Sequence, residues 1–459
     1  MTKPLLGVHG VRYGTPADQK FLLGQYLSSY EYLALNATII GHAPAAIASL
    51  IAQRLKGKPF FVDPQTHAFQ HNTSYLESQG ETTAGEIKRS IRTLLKAYGD
   101  PAEDRVLNQR RPVSSKDFAN DSTRRGFCER VLNFQMNVVQ NQLEYSDAAK
   151  YYEYLTIKGK LAAFANSLRP RVVVAPYFYL APNLLPEWLN HNVEFARLAR
   201  EYADSHDVGL AVQIVLAREF LSSSIMRDKV VRAYRQTTPE LFLVWVSAFS
   251  EFTAGEEELA AFVSLLRELG ETAEVVNLYG SYFSFALKQS GTVKRLAGVV
   301  HGLEYGEDRD VLPVGGGLPI AKFYVPVLHS RLKFRDAVRA VRELGGFRDR
   351  DSYFKAVCAC AQCKTLIKGN PERDFAAYGE SQPVSFTRKA QPIVTEYPTR
   401  EAKERCVSHF MWCKKTEFGS RATKNVILDE LKAAARLERV VGPEAAHCTT
   451  WRSVLSSGQ

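Results

Sequence analysis

Leu241-Phe-Leu-Val-Trp-Val246 is an apolar run without a polar face, and Val172-Val-Val-Ala175 repeats the pattern. A strand with one face in water alternates apolar and polar residues, because successive side chains point to opposite sides of the sheet. A run that does not alternate is covered on both faces, as in a parallel sheet flanked by helices. Outward from these two stretches, β-type runs recur at residues 32–40, 59–63, 171–179, 208–216, 241–249, 273–283, 295–302 and 322–328. Amphipathic segments lie between them. Leu259, Phe262, Val263, Leu266 and Leu269 fall at helical spacing, and Gly270 follows as a stop. Eight strands alternating with helices predict an α/β fold of the (β/α)8 TIM-like barrel class. No phosphate-cradling glycine loop follows the first run, which counts against a dinucleotide-binding sheet.

Residues 71–170 interrupt the alternation with far more chain than a crossover needs. Ile87, Ile91, Leu94, Leu95 and Tyr98 predict an amphipathic helix there, ringed by Lys88, Arg89, Arg92 and Lys96. Arg110, Arg111, Arg124 and Arg125 follow, and they are the expected phosphate contacts of this basic helical insert. Inserts after barrel strands lie near the catalytic face, so a lid over that face is expected.

Beyond the barrel, Cys358-Ala-Cys360-Ala-Gln-Cys363 places three thiols in one short run. Three thiolates at this spacing can converge on a single tetrahedral ion, and zinc suits thiolate and imidazole donors. The fourth ligand comes from downstream, where Cys406, His409, Cys413, His447 and Cys448 are the candidates; His409 is preferred, with Cys406 and Cys413 as alternatives on the same expected helix after Pro398. Four protein ligands leave no open position, so the Zn2+ is expected to be structural. Residues 365–398, rich in glycine and proline, read as a surface excursion. The domain reading is therefore a barrel over residues 1–350 and a zinc-binding helical subdomain over 351–459.

The chain has 459 residues, 45% hydrophobic and 24% charged, with net charge +10. That composition is globular, and the basic excess suits a polyanionic partner. The first residues carry no signal-peptide run and no stretch is long enough to span a bilayer, so a reducing, cytoplasmic setting without membrane contact is expected.

A barrel followed by Cys-x-Cys-x-x-Cys and a downstream histidine resembles the tRNA-guanine transglycosylase superfamily. Phe61-Val62-Asp63-Pro64-Gln65-Thr66-His67-Ala68-Phe69-Gln70 is similar to that family's Asp-Ser-Gly-Gly-Phe-Gln signature, and Tyr279-Gly280-Ser281 is similar in position to its base-holding loop. The family's nucleophilic aspartate at the end of the eighth strand has no counterpart in Lys322-Phe-Tyr-Val-Pro-Val-Leu-His-Ser-Arg331, where Tyr324 stands nearest. With the basic insert, this divergence resembles the DNA-modifying (DpdA-like) branch. The resemblance implies a pentosyltransferase that exchanges guanine in double-stranded DNA for a free 7-deazaguanine base, with RNA as the alternative polymer and a non-catalytic binding paralogue as the third reading. It also implies that the zinc subdomain contacts nucleic acid, with Lys414 and Lys415 among its contacts.

Such chemistry needs a carboxylate at the anomeric carbon and a second group for the proton on the purine. Asp63, ending a buried run, is the first candidate. Glu251 and Glu304 are candidate partners, Gly280, Ser281 and His301 candidate base contacts, and Tyr177 a stacking surface.

Overall fold

The computed structural model describes residues 5–55, 57–78, 83–145, 148–157, 168–303, 307–312, 321–388 and 391–457. The apolar run at 241–246 is a strand buried along its whole length, in the interior of an eight-stranded parallel sheet. In chain order the strands are β1 (His9–Tyr13), β2 (Tyr32–Asn36), β3 (Phe60–Asp63), β4 (Val172–Val174), β5 (Gly209–Leu216), β6 (Leu241–Val246), β7 (Glu274–Leu278) and β8 (Leu296–His301). Their order across the sheet is β3-β2-β1-β8-β7-β6-β5-β4. The two ends approach each other where the Arg171 amide donates to the Phe60 carbonyl at 2.8 Å. The sheet is thus a nearly closed barrel, an α/β TIM-like fold.

Alternation along the strands sorts their side chains. Ala34, Phe61, Val174, Ala211, Val215, Leu243, Trp245, Val276 and Val300 form one buried lumen cluster. Each valine, leucine or phenylalanine among them contributes roughly 1.5–3 kcal/mol by leaving water. Seven of the eight strand runs read from the sequence belong to this barrel; the eighth does not. Lys322–Val325 (β9) pairs antiparallel with Ser330–Lys333 (β10), apart from the barrel sheet. The true first strand, His9–Tyr13, was hidden because its lumen face consists of Gly10 and Arg12. Gly10 is required there: a Cβ at that position would lie 2.4 Å from the Tyr32 ring.

The insert is helical as expected, with helices Arg89–Tyr98, Asp121–Met136 and Ala148–Ile157. Ile91, Leu94, Leu95 and Tyr98 are buried on the first, and the Tyr98 hydroxyl donates to the Pro64 carbonyl at 3.0 Å. Gln135, fully buried on the second, donates through Nε2 to the Val174 carbonyl and accepts from the Val174 amide through Oε1, both at 2.8 Å. That side chain supplies β4 with the bonds a ninth strand would give. The insert is therefore part of the barrel wall.

The chain divides into two compact units, residues 1–251, 260–284 and 293–313, and residues 252–259, 285–292 and 314–459. Residues 314–350, assigned to the barrel from sequence, group with the C-terminal unit. In that unit the excursion at 365–398 is ordered as a hairpin, Ser381–Arg388 (β11) with Gln391–Pro398 (β12). Helix Arg400–Phe418 follows Pro398, with Thr399 capping it by accepting from the Ala402 amide. No helix among the described residues is long and apolar enough to cross a membrane.

Candidate active site and metal centre

Asp63 is the last residue of β3, so it stands at the carboxyl end of the barrel strands, and it is only 1% exposed. Its Oδ2 accepts from Arg12 Nη1 at 3.0 Å. Its Oδ1 accepts from the Tyr177 hydroxyl at 2.5 Å and from the Gln65 amide at 3.1 Å. Burial alone would raise this carboxyl, but the charge of Arg12, with His67, Tyr177 and the Gln65 amide, holds it below the ordinary aspartate value. Burial and the neighbouring carboxylate keep Tyr177 protonated, its pKa pushed well above the usual value. The one hydroxyl proton of Tyr177 goes to Asp63, so His67 must donate its Nδ1–H to the tyrosine oxygen at 3.1 Å. That assignment leaves the lone pair on Nε2. Burial, against the pull of Asp63, lowers the His67 pKa to about 3, so the ring is neutral at pH 7.

Aromatic rings continue outward from this chain of bonds. His67 stacks on Tyr177 with centroids 5.3 Å apart and meets Trp245 edge-on at 5.2 Å. Trp245 lies 5.0 Å from Tyr279, whose ring sits 4.3 Å from the Arg12 guanidinium carbon. Residues from or just beyond β1, β3, β4, β6 and β7 thus surround one carboxylate. Three non-glycine residues there adopt left-handed backbone: Gln65 (φ 54°), Ala248 (φ 54°) and Tyr279 (φ 62°). Such strain persists only where surrounding structure fixes it, and it clusters at functional sites. Gln65 is fixed by its Oε1, which accepts from the amide and hydroxyl of Thr38 at 3.0 and 2.9 Å. The Ala248 amide donates to the Arg309 carbonyl at 2.9 Å, which also accepts from Trp245 Nε1 at 3.0 Å.

The other sequence candidates fare differently. Glu251 is 1% exposed and receives Ser281 Oγ at 2.6 Å, the Ser281 amide at 2.9 Å, Ser284 Oγ at 2.5 Å and Asn277 Nδ2 at 2.9 Å. Burial raises its pKa in spite of these donors. It ties the turn after β7 to the chain after β6, so it acts as a brace in place of the expected catalytic partner. The Ser281 hydroxyl is spent in the same contact. Gly280 is held to glycine by packing, since a Cβ would lie 2.5 Å from Asn277 Nδ2. His301 is opposite Val11 in the sheet, and Val11 neighbours lumen-facing Arg12, so His301 points away from the lumen. There its Nε2 meets His9 Nε2 at 2.8 Å and its Nδ1 meets the Gly302 carbonyl at 2.9 Å. It is not a base contact in the lumen. Glu304 lies outside the described residues. Tyr324 lies on β9 and not on a barrel strand, and the last barrel strand, β8, ends at His301 without an aspartate.

Among the basic candidates, Arg111 makes paired bonds to Asp117 at 3.0 and 2.8 Å. Arg124 donates to the Phe118 and Ala119 carbonyls and pairs with Asp121. Arg125 pairs with Glu201 at 2.8 Å and is half exposed, while half-exposed Arg110 reaches only to 3.9 Å from Glu77. Lys415 is exposed, 5.1 Å from the Trp412 ring centroid. Lys414 is not a phosphate contact. Its side chain is 0% exposed, with Nζ 3.0 Å from the Tyr324 hydroxyl and 3.2 Å from Glu417 Oε2. Burial opposes ionisation of Glu417, yet Lys414 and His329 hold its carboxyl down to about 2.

In the C-terminal unit, the donor atoms of Cys358, Cys360, Cys363 and His409 lie within 4.8 Å of one another. His409 Nε2 donates to the Tyr324 carbonyl at 2.7 Å, which turns Nδ1 toward the thiols. Nδ1 is 3.4 Å from both Cys360 Sγ and Cys363 Sγ. Donors around a tetrahedral ion with metal–sulfur bonds of about 2.3 Å and metal–nitrogen bonds of about 2.0 Å would be about 3.6 Å apart, so this set fits a metal ion. Amides of Cys360 and Cys363 donate to Cys358 Sγ and Cys360 Sγ at 3.4 Å, bonds that stabilise thiolates. Of the alternatives, Cys413 sits beside the set, 3.6 Å from Cys358 Sγ, while Cys406 is turned to the Tyr378 carbonyl.

No protein-family model matches the chain, and no curated protein matches it. Sequence reading missed Arg12, on the unread first strand, and Asn36 and Trp245, which come from runs that read as core. The one signal was Arg12 itself, a charge inside an otherwise strand-like His-Gly-Val-Arg-Tyr segment.

Proposed function

We propose that this chain exchanges guanine for a free 7-deazaguanine base at a nucleotide of double-stranded DNA, with Asp63 as the carboxylate at the anomeric carbon. The observation that carries this reading is the Asp63 site: an ionised carboxylate at the carboxyl end of a barrel strand, walled by Tyr177, His67, Trp245 and Tyr279. Flat rings suit a purine, and a negative charge suits the oxocarbenium-like carbon formed as the C1′–N9 bond breaks. The bond's electron pair leaves with guanine. The incoming base then bonds to C1′ and loses a proton, balancing the proton gained by the departing guanine. Arg12, Tyr177 and the Gln65 amide fix the carboxylate, and His67 fixes Tyr177. A duplex nucleotide must leave the stack to reach such a site. The Cys3His set suits zinc, which would hold the C-terminal unit folded without touching the reaction.

Mass spectrometry of nucleosides from DNA and tRNA of cells expressing the protein tests this reading. A 7-deazaguanine nucleoside in DNA that disappears with Asp63→Asn is the expected result, and the same nucleoside confined to tRNA would move the activity to RNA. A binding paralogue without turnover is the second reading, favoured by the three donors that Asp63 already accepts. It predicts no modified nucleoside in either polymer.

A further inference from the structure

Arg12 uses only one corner of its guanidinium. Nη1 donates to Asn36 Oδ1 at 2.5 Å and to Asp63 Oδ2 at 3.0 Å. Nε and Nη2 are buried, the residue is 4% exposed, and neither atom meets a hydrogen-bond partner among the described residues. Their N–H bonds lie along one edge of a planar fork, spaced for two coplanar acceptors. Buried donors of a charged group are seldom left unmatched, because their desolvation goes uncompensated. Tyr279 beneath the guanidinium holds the fork in its plane, 4.3 Å from the ring centroid.

The charge of the site selects the ligand. Asp63 already neutralises Arg12, so a phosphate or carboxylate on the free edge would bury a second, unbalanced negative charge. A neutral ring with two adjacent acceptors brings no such penalty, and the walls at Trp245, His67 and Tyr177 are flat. Guanine offers that pair as O6 and N7, whereas adenine sets a donor beside its N7. We propose that the Nε–Nη2 edge of Arg12 reads the O6/N7 edge of guanine. The inference rests on the purine-exchange reading above and assigns to Arg12 a discrimination within it. A 7-deazaguanine carries carbon at position 7 and leaves one of the two N–H donors unmatched, so Arg12 distinguishes the departing base from the arriving one.

Equilibrium dialysis of the full chain against radiolabelled guanine, competed by unlabelled guanine or unsubstituted 7-deazaguanine, tests this directly. The expected result is competition weaker by roughly tenfold or more for 7-deazaguanine, the size of one hydrogen bond to a charged donor. Arg12→Lys keeps a cation beside Asp63 and removes the fork, so guanine affinity should fall and the ratio between the two bases should approach one. Equal competition by the wild-type chain would overturn the role of Arg12 while leaving a purine site standing. An unchanged ratio in folded Arg12→Lys would overturn it as well. Absence of any guanine binding by the wild type would instead remove the purine reading and this inference together.

Discussion

The Tyr177 hydroxyl donates to Asp63 Oδ1 across 2.5 Å, linking the chain after β4 to the end of β3. The bond adds to the charge of Arg12 in keeping the carboxylate ionised where burial would otherwise protonate it. Replacing Tyr177 with Phe should raise the Asp63 pKa and strand the Nδ1–H of His67. Base exchange is expected to fall roughly tenfold or more, with the acid limb of its pH profile moved to higher pH. An unshifted limb in the variant would separate Tyr177 from the ionisation of Asp63.

Asp63→Asn should abolish incorporation of labelled 7-deazaguanine, since an amide keeps the shape without the charge. It also leaves the Arg12 guanidinium buried without a counterion, and a broken buried pair costs about 3–5 kcal/mol. The variant is therefore expected to unfold at markedly lower denaturant while retaining DNA binding at low temperature. Wild-type incorporation rates would take Asp63 out of the mechanism.

His67 makes stability depend on pH in a defined window. Its folded pKa of about 3 lies below the ordinary 6.5, so the unfolded chain binds the proton more readily. The contribution is fully present above about pH 6.5 and is lost as pH falls toward 3, at up to about 1.4 kcal/mol per pH unit. Asp63, whose pKa is lowered from 3.8, adds its own loss only below about pH 3.8. Urea unfolding between pH 7 and pH 4 should show the first effect, and His67→Gln should flatten it.

Purified protein is expected to carry one zinc ion per chain. Cys360→Ser should lose metal and folded C-terminal unit together, because binding energy is folding energy in such sites. Cys406→Ser should keep full stoichiometry. Loss of metal in Cys406→Ser with retention in Cys360→Ser would reverse the ligand assignment.

Phosphate contact and structural pairing can be separated among the insert arginines. Arg110→Ala and Arg125→Ala together should weaken DNA binding and lower the slope of log affinity against log salt by up to about 1.8. Arg111→Ala and Arg124→Ala should instead reduce stability, since those side chains hold Asp117 and the Phe118 carbonyl. Salt titration and thermal melts of the two double variants distinguish the outcomes.

The barrel was legible because its inner strands, such as Leu241–Val246, are apolar on both faces and resemble nothing else. Asp63 was legible for the same reason, as a charge ending an apolar run. β1 was not, because Gly10 and Arg12 replace the apolar lumen residues that mark a strand. β9 misled in the opposite sense: Phe323-Tyr-Val325 looks like barrel strand, and only its antiparallel partner after the Pro326 turn reveals a hairpin. The bracing role of Glu251 depends on serines 30 and 33 positions away, a relation that spacing alone cannot convey. His409 was the preferred ligand from sequence, but which ring nitrogen faces the thiols is set by the Tyr324 carbonyl, a contact that spacing cannot convey.

Gln135 gives the long insert a place in the folding of the whole unit. A chain trimmed of residues 71–170 would have β4 with its outer amide and carbonyl bare, a ready template for pairing with another molecule. Such a trimmed barrel is expected to aggregate instead of merely losing affinity for nucleic acid. Gln135→Leu, isosteric enough to keep the helix, should expose the same liability in the full-length chain, because two backbone groups at Val174 lose their partners together.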